Sequence, residues 1–138
     1  MKPLPLIEIH GESEFRVNTE ALDYLFKLDE RINVVSVAGL YRSGKSSLMN
    51  WLSSTSPSSE AESSELSKEE RCEGFGVGGT TNRCTRGIWM WPDLIEGSDG
   101  SKTILLDTEG IGGIESDSRY DARIFSLAIL LSSTIIFN

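Results

Sequence analysis

The segment that most constrains the fold of this chain runs from Gly39 to Ser46 and reads Gly-Leu-Tyr-Arg-Ser-Gly-Lys-Ser. It matches the pattern G-x-x-x-x-G-K-[ST], which binds phosphate when a strand precedes it and a helix follows it. Residues 32–37 are rich in β-branched side chains and predict a buried strand. The run that starts at Ser46 places its apolar residues on one side of a helix. The motif therefore stands in the sequence context that it requires.

The residue types of this loop suit the binding of a nucleoside triphosphate. Glycines allow successive backbone N–H groups to converge on the β-phosphate, and the following helix adds the positive end of its dipole. Lys45 is expected to reach the β- and γ-phosphates, and the hydroxyl of Ser46 to bind Mg²⁺. An accidental glycine-rich turn is the alternative, and the presence of both required neighbours disfavours it.

A second motif supplies the other side of the expected metal site. Residues 103–106 are mostly apolar and predict a strand that delivers Asp107 at its carboxyl end. In P-loop proteins such an aspartate holds Mg²⁺, usually through a water. An aspartate that only caps a turn is the alternative, and the pairing with the phosphate loop favours the metal role. Gly110 is placed to present its N–H to the γ-phosphate.

Two further side chains have a candidate role in catalysis. An arginine inside the loop, Arg42, can stabilise charge on the transferring phosphoryl group from within the chain, or it can lie in solvent. A threonine in a mobile loop would complete the coordination of Mg²⁺. By spacing, Thr85 is a candidate for that role, with Thr80 and Thr81 as competitors.

The remainder of the chain alternates short strands and helices. Residues 5–9 and 15–17 predict a hairpin, after which Asn18 or Thr19 caps a helix. Residues 88–91 and 103–106 predict strands, residues 110–113 a turn, 120–131 a helix and 134–137 a last strand. We therefore predict an α/β fold of the P-loop NTPase type, with three layers (α/β/α) and a mostly parallel sheet.

Residues 53–73 differ in composition from the rest of the chain. Eight serines and six glutamates fill most of this stretch, and Leu66 is its one large aliphatic residue. Such a segment buries too little apolar surface to offset its ordering entropy, so we expect a flexible insertion within a single domain that spans residues 1–138.

Composition excludes several classes of protein. The net charge of −8 argues against a domain that binds nucleic acid, whose phosphate contacts need a basic face. We expect no membrane segment, since no apolar stretch approaches about 18 residues. Two cysteines do not make a disulfide framework, and together these features predict a cytoplasmic setting.

Four ordered blocks of sequence resemble the guanylate-binding proteins, which are large GTPases of the dynamin superfamily related to the atlastins. The blocks are residues 39–50, 85–91, 105–112 and 124–134. The resemblance covers nearly the whole chain except 53–73. It implies a G domain that binds GTP and GDP, hydrolyses GTP with Mg²⁺, and forms a GTP-dependent homodimer in the full-length protein.

The resemblance also implies roles for individual residues. Arg42 corresponds to the internal arginine finger and Thr85 to the threonine of switch I. Asp107 and Glu109 belong to the Asp-x-Glu-Gly block, in which the glutamate helps to organise switch II and the attacking water. The catalytic set is then Arg42, Lys45, Thr85 and Glu109. The metal set is Ser46, Thr85 and Asp107. The nucleotide-binding set is Gly39, Tyr41, Arg42, Ser43, Gly44, Lys45, Ser46, Ser47, Asp107 and Gly110.

Two features depart from the family pattern. Arg83 stands where a serine usually precedes the switch I threonine by two residues, which is closer to the atlastin pattern. The Arg-Asp block that reads guanine in this family does not occur in the sequence. We therefore expect a G domain truncated before its guanine-specificity strands, and poor stability for the isolated chain. A non-catalytic fragment that binds nucleotide or dimerises is the alternative, and an ATP-using kinase is disfavoured by the Asp-Thr-Glu-Gly block.

Overall fold

A computed structural model of the chain describes residues 3–11, 14–40, 44–54, 87–108, 110–112 and 118–138. Several predicted features lie outside these residues, or are described there by their backbone alone. They are the insertion from residue 55 onward, the side chain of Ser46, and the candidate residues Tyr41, Arg42, Ser43, Thr85 and Glu109.

The described residues form strands and helices close to those that the sequence predicts. In chain order they are β1 (Leu4–His10), β2 (Glu14–Val17), α1 (Thr19–Phe26), β3 (Ile32–Ala38), α2 (Lys45–Ser54), β4 (Ile88–Glu96), β5 (Lys102–Thr108), α3 (Ser118–Leu131) and β6 (Thr134–Phe137). The predicted hairpin is confirmed by the antiparallel pairing of β1 with β2. Of the two predicted cap residues, Asn18 is the one that caps α1: its side chain accepts a hydrogen bond from the N–H of Ala21 at 3.1 Å.

Two boundaries differ from the prediction. Ser53 and Ser54, which we assigned to the insertion, form the last residues of α2, since a serine can still donate its backbone N–H four residues back along a helix. Strand β4 continues through Pro92 to Glu96 instead of ending at Trp91. A shift in register between Trp91 and Ile95 accommodates the proline, which cannot donate to the ladder.

The described strands form one six-stranded sheet in the order β2-β1-β4-β5-β3-β6. Strand β3 pairs in parallel with β5 and with β6, as expected for the predicted fold. The pairs β1–β2, β1–β4 and β4–β5 are antiparallel, so the sheet is mixed and not mostly parallel. The reason lies in the connections: β4 and β5 are joined by a tight turn over residues 97–101, and such a turn can join only antiparallel neighbours.

Apolar side chains from alternate strand positions build a core on each face of the sheet. On one face, Ile104 and Leu106 of β5 pack with Met90 of β4 and with residues of α1 and α3. On the other face, Leu105 packs with Val37 of β3 and Met49 of α2. Because helices cover both faces, the predicted three-layer arrangement is confirmed.

Strand β4 also anchors helix α1 through a tyrosine. The hydroxyl of Tyr24 donates a hydrogen bond to the carbonyl of Pro92. Burial raises the pKa of Tyr24 above its ordinary 10.0, and the nearby Asp93 carboxylate raises it further. The folded chain therefore favours the neutral phenol, which is the form that donates this bond.

We expect Tyr24→Phe to lower the free energy of unfolding by about 1 kcal/mol at neutral pH, because one partly buried hydrogen bond is lost. As the pH rises above 10.0, the unfolded wild-type chain releases its phenolic proton before the folded chain does, so wild-type stability falls. The difference between wild type and Tyr24→Phe should then shrink. Urea denaturation across this pH range measures it, and a difference that stays constant or grows would contradict the assignment.

Candidate functional site

The predicted motifs meet at the carboxyl ends of the two central parallel strands. Val37 of β3 lies opposite Asp107 of β5 in the parallel register, so the loop that leaves β3 and the turn that leaves β5 begin side by side. Neighbouring parallel strands with their loops at one edge are the usual position of a ligand site in α/β sheets. Asp107 is completely buried at this edge.

Lys45 is the first residue of α2 and is buried, with 6% of its surface exposed. Its Nζ atom donates a hydrogen bond to the carbonyl oxygen of Leu40 at 2.5 Å, which folds the side chain back across the start of the loop. Burial lowers the pKa of Lys45, and the Asp107 carboxylate opposes this by raising it. The ammonium and the carboxylate therefore act on each other at this edge.

The glycines of the loop occupy positions that other residues fill poorly. Gly44 has a φ of +83°. The first hydrogen bond of α2 runs from the N–H of Leu48 to the carbonyl of Gly44 at 2.9 Å. Gly39 has a φ of +152°, and a Cβ atom there would lie 1.8 Å from the backbone oxygen of Asn138. Because α2 begins at Lys45, directly after Gly44, its amino end adjoins the loop, and the helix dipole favours an anion there.

The turn after β5 is joined to the start of the phosphate loop. The N–H of Ile111 donates to the carbonyl of Gly39 at 2.9 Å, and Leu40 and Ile111 form an isolated parallel bridge. Gly110, between Asp107 and this bridge, is buried. The structure thus places Gly110 beside the loop, which is the arrangement that a contact with the γ-phosphate would require.

Two polar residues at this edge escaped the sequence analysis. The hydroxyl of Thr108 is buried and donates to the carbonyl of Val37 at 2.8 Å, which ties the end of β5 to the end of β3. The Oδ2 atom of Asp121, in the first turn of α3, accepts a hydrogen bond from the N–H of Gly112 at 2.8 Å. For Asp121, the sequence signal that could have revealed this contact was the presence of a carboxylate on the apolar face of a predicted helix.

The structure brings together a subset of the predicted site residues. Gly39, Gly44, Lys45, Asp107 and Gly110 lie around the edge between β3 and β5. Ser47 lies in the first turn of α2 and is exposed.

The two tryptophans of β4 pack on the sheet. Trp89 and Trp91 lie against the cluster that contains Leu105. Among the described residues there is no group of three or more His, Cys, Asp and Glu side chains that could hold a metal ion by themselves. In the same part of the chain, no helix is long and apolar enough to span a membrane.

The mixed sheet, with a loop and a helix following its central parallel strand, defines an α/β fold of the G-domain type. Comparison with protein families identifies the group. The family model described as "Guanylate-binding protein, N-terminal domain" matches residues 12–138. The chain belongs to the guanylate-binding protein family.

Individual relatives agree with this assignment. The chain is 40% identical to guanylate-binding protein 6 of Mus musculus and 38% identical to guanylate-binding protein 4 of Homo sapiens, over its whole length in both cases. It is 40% identical to guanylate-binding protein 1 of Chlorocebus aethiops over 99% of its length. The chain spans about a fifth of the length of these curated relatives, 20%, 19% and 20% respectively, and corresponds to their amino-terminal part.

Proposed function

We propose that this chain is the phosphate-binding part of a G domain that binds GTP and hydrolyses it with the help of Mg²⁺. The observation that carries the proposal is the burial of both Lys45 and Asp107 at the carboxyl edge of β3 and β5, after the phosphate-loop motif. Taking an ammonium and a carboxylate out of water is costly, so their presence together at this edge calls for a reason. A nucleoside triphosphate with its metal ion would offer the ammonium an anion and the carboxylate a cation.

The phosphate grip is formed by the loop and the start of α2. Lys45 now donates to the carbonyl of Leu40 and would turn its ammonium onto the β- and γ-phosphates. Gly39 and Gly44, with Tyr41, Arg42 and Ser43 between them, would supply backbone N–H groups. Desolvation of Lys45 strengthens its interaction with an anion that enters the site.

The predicted metal set has the chemistry that Mg²⁺ selects. A carboxylate and hydroxyl oxygens are its preferred ligands, and Asp107, Ser46 and Thr85 provide them. When bound with the nucleotide, the ion would neutralise charge on the phosphate oxygens. The buried carboxylate of Asp107, fixed by its register opposite Val37, would hold the ion through water.

We expect Asp107→Asn to raise the Mg²⁺ concentration needed for half-maximal nucleotide binding about tenfold. Replacing a residue that holds a metal through water lowers metal affinity on this scale. The measurement is a Mg²⁺ titration of labelled-GTP affinity. Asp23→Asn, the same change at an exposed position on α1, is the control and should behave as the wild type. Equal Mg²⁺ dependence in Asp107→Asn and wild type would exclude the metal role.

The catalytic step is assigned through the family resemblance. Water is the nucleophile. Arg42 would stabilise charge on the transferring phosphoryl group, Thr85 would help to position the water, and Glu109 would organise the turn around it. The guanine base and a partner G domain would be bound by the full-length protein, in which we propose a GTP-dependent homodimer.

The proposal is tested by the binding of labelled GTP, GDP and ATP to the chain with and without Mg²⁺, followed by phosphate release from GTP. Mg²⁺-dependent binding with phosphate release from GTP supports a GTPase, and a preference for guanine nucleotides would show that this chain contacts guanine without the Arg-Asp block. Binding without phosphate release supports the alternative of a non-catalytic nucleotide-binding fragment. No binding by a chain whose circular dichroism shows it to be folded would overturn the proposal.

A further inference from the structure

Asp121 is a charged residue at a position where the pattern of α3 calls for an apolar one. The buried residues of this helix are Tyr120, Asp121, Ile124 and Ala128, which lie on the side that faces the sheet. Asp121 is 8% exposed. A buried carboxylate is costly unless it accepts hydrogen bonds. Its presence on this face therefore needs an explanation in the contacts that it makes.

The contact that Asp121 makes is directed at the turn after β5. Its Oδ2 atom accepts a hydrogen bond from the N–H of Gly112 at 2.8 Å. A hydrogen bond to an ionised acceptor is roughly twice as strong as one between neutral groups. Gly112 has a φ of +75°, a conformation that glycine adopts without strain, so the N–H can be aimed at the helix.

The same short turn is held on its other side by the phosphate loop. The N–H of Ile111 donates to the carbonyl of Gly39, the residue that begins that loop. Gly110 therefore lies between Asp107 at the end of β5 and a segment held from two directions: by the loop through Ile111 and by α3 through Gly112. Removal of either contact would free one end of this segment.

We propose that Asp121 is a positioning residue for recognition of the γ-phosphate, acting through Gly112 to hold the Gly110 N–H where a triphosphate needs it. The inference rests on the proposed function and extends it to a residue outside the nucleotide-binding motifs. Asp121 touches neither the nucleotide nor the metal. GDP lacks the γ-phosphate, so the position of the Gly110 N–H matters for GTP binding and not for GDP binding.

The central experiment compares the GDP and GTP affinities of Asp121→Ala with those of the wild type, using a non-hydrolysable GTP analogue with Mg²⁺. We expect the preference for the triphosphate over GDP to fall about tenfold, with GDP affinity nearly unchanged, since one charge-assisted hydrogen bond is lost. Asp121→Asn keeps an oxygen that can accept the bond and should retain most of the preference. Glu20→Ala, which removes a carboxylate from the first turn of α1, controls for the loss of a favourable helix-end charge.

A second measurement tests the hydrogen bond without any nucleotide. Hydrogen exchange at the Gly112 amide should accelerate about tenfold in Asp121→Ala, while exchange in the central strands β3 and β5 stays as in the wild type. This measurement remains informative if the chain binds no nucleotide, which would overturn the proposed function and, with it, the γ-phosphate role. A merely structural Asp121 would lower stability and accelerate exchange but leave the ratio of GTP to GDP affinity unchanged. An unchanged ratio of GTP to GDP affinity in a folded Asp121→Ala variant would overturn the inference.

Discussion

Nucleotide affinity should fall at least about a hundredfold when Lys45 is replaced by alanine. The bound phosphates would lose the ammonium that pairs with them, and truncating one partner of a buried charge pair costs several kcal/mol. Lys45 is 6% exposed and lies where α2 begins, at the end of the loop that would bind the phosphates. The bound phosphates would keep their charge and lose the one cation that the described part of this edge presents to them.

Lys102→Ala is the matched control for this prediction. Lys102 lies at the opposite end of β5, where its Nζ atom contacts Glu30 at 2.7 Å. It is a lysine on the same sheet with a carboxylate partner, and it is remote from the loop. We expect it to bind labelled GTP as the wild type does. The prediction fails if the two variants, both folded by circular dichroism, bind GTP equally well, since Lys45 would then have only a structural contact with Leu40.

The second large effect concerns the stability of the fold. We expect Gly87→Ala to lower the free energy of unfolding by about 3 kcal/mol or more, from a strained positive φ and a severe overlap together. Gly87 has a φ of +77°, and a Cβ atom there would lie 2.0 Å from the backbone oxygen of Ile7. Because that neighbour is backbone, relief requires β1 and β4 to separate where Ile7 pairs with Ile88.

Gly100→Ala isolates the contribution of the backbone angle. Gly100 has a φ of +78°, practically the same, but a Cβ atom there would have nothing within 4 Å. Its cost should be about 1 kcal/mol, from the φ alone. Urea denaturation of both variants gives the difference, and equal destabilisation would show that the close approach between Gly87 and Ile7 does not constrain the chain.

Much of the local structure followed from the sequence because it depends on neighbouring residues. The β-branched run before the phosphate loop forms β3, and the side chain of Asn18 caps α1 as its position predicts. The loop glycine Gly44 has the positive φ that the motif requires. Each of these features is decided within a few residues, where steric and hydrogen-bonding preferences are strong.

Other features could not be read from the sequence because they depend on residues far apart in the chain. The antiparallel half of the sheet arises from pairings such as β1 with β4, which the phosphate-loop motif does not specify. Asp121 is a carboxylate on the apolar face of a predicted helix, but its hydrogen-bond partner, the N–H of Gly112, became visible only in the structure. The candidate switch threonine Thr85 stays a prediction from the sequence.

The sequence by itself determined the type of each element and predicted a phosphate-binding loop, since periodicity, capping and the loop motif are local properties. The tertiary structure decided which of those residues meet. The parallel register sets Asp107 opposite Val37, and burial at that edge places the Lys45 ammonium under the influence of the Asp107 carboxylate. Such proximity follows from long-range packing and from desolvation, which exist only once the sheet and its helices have assembled.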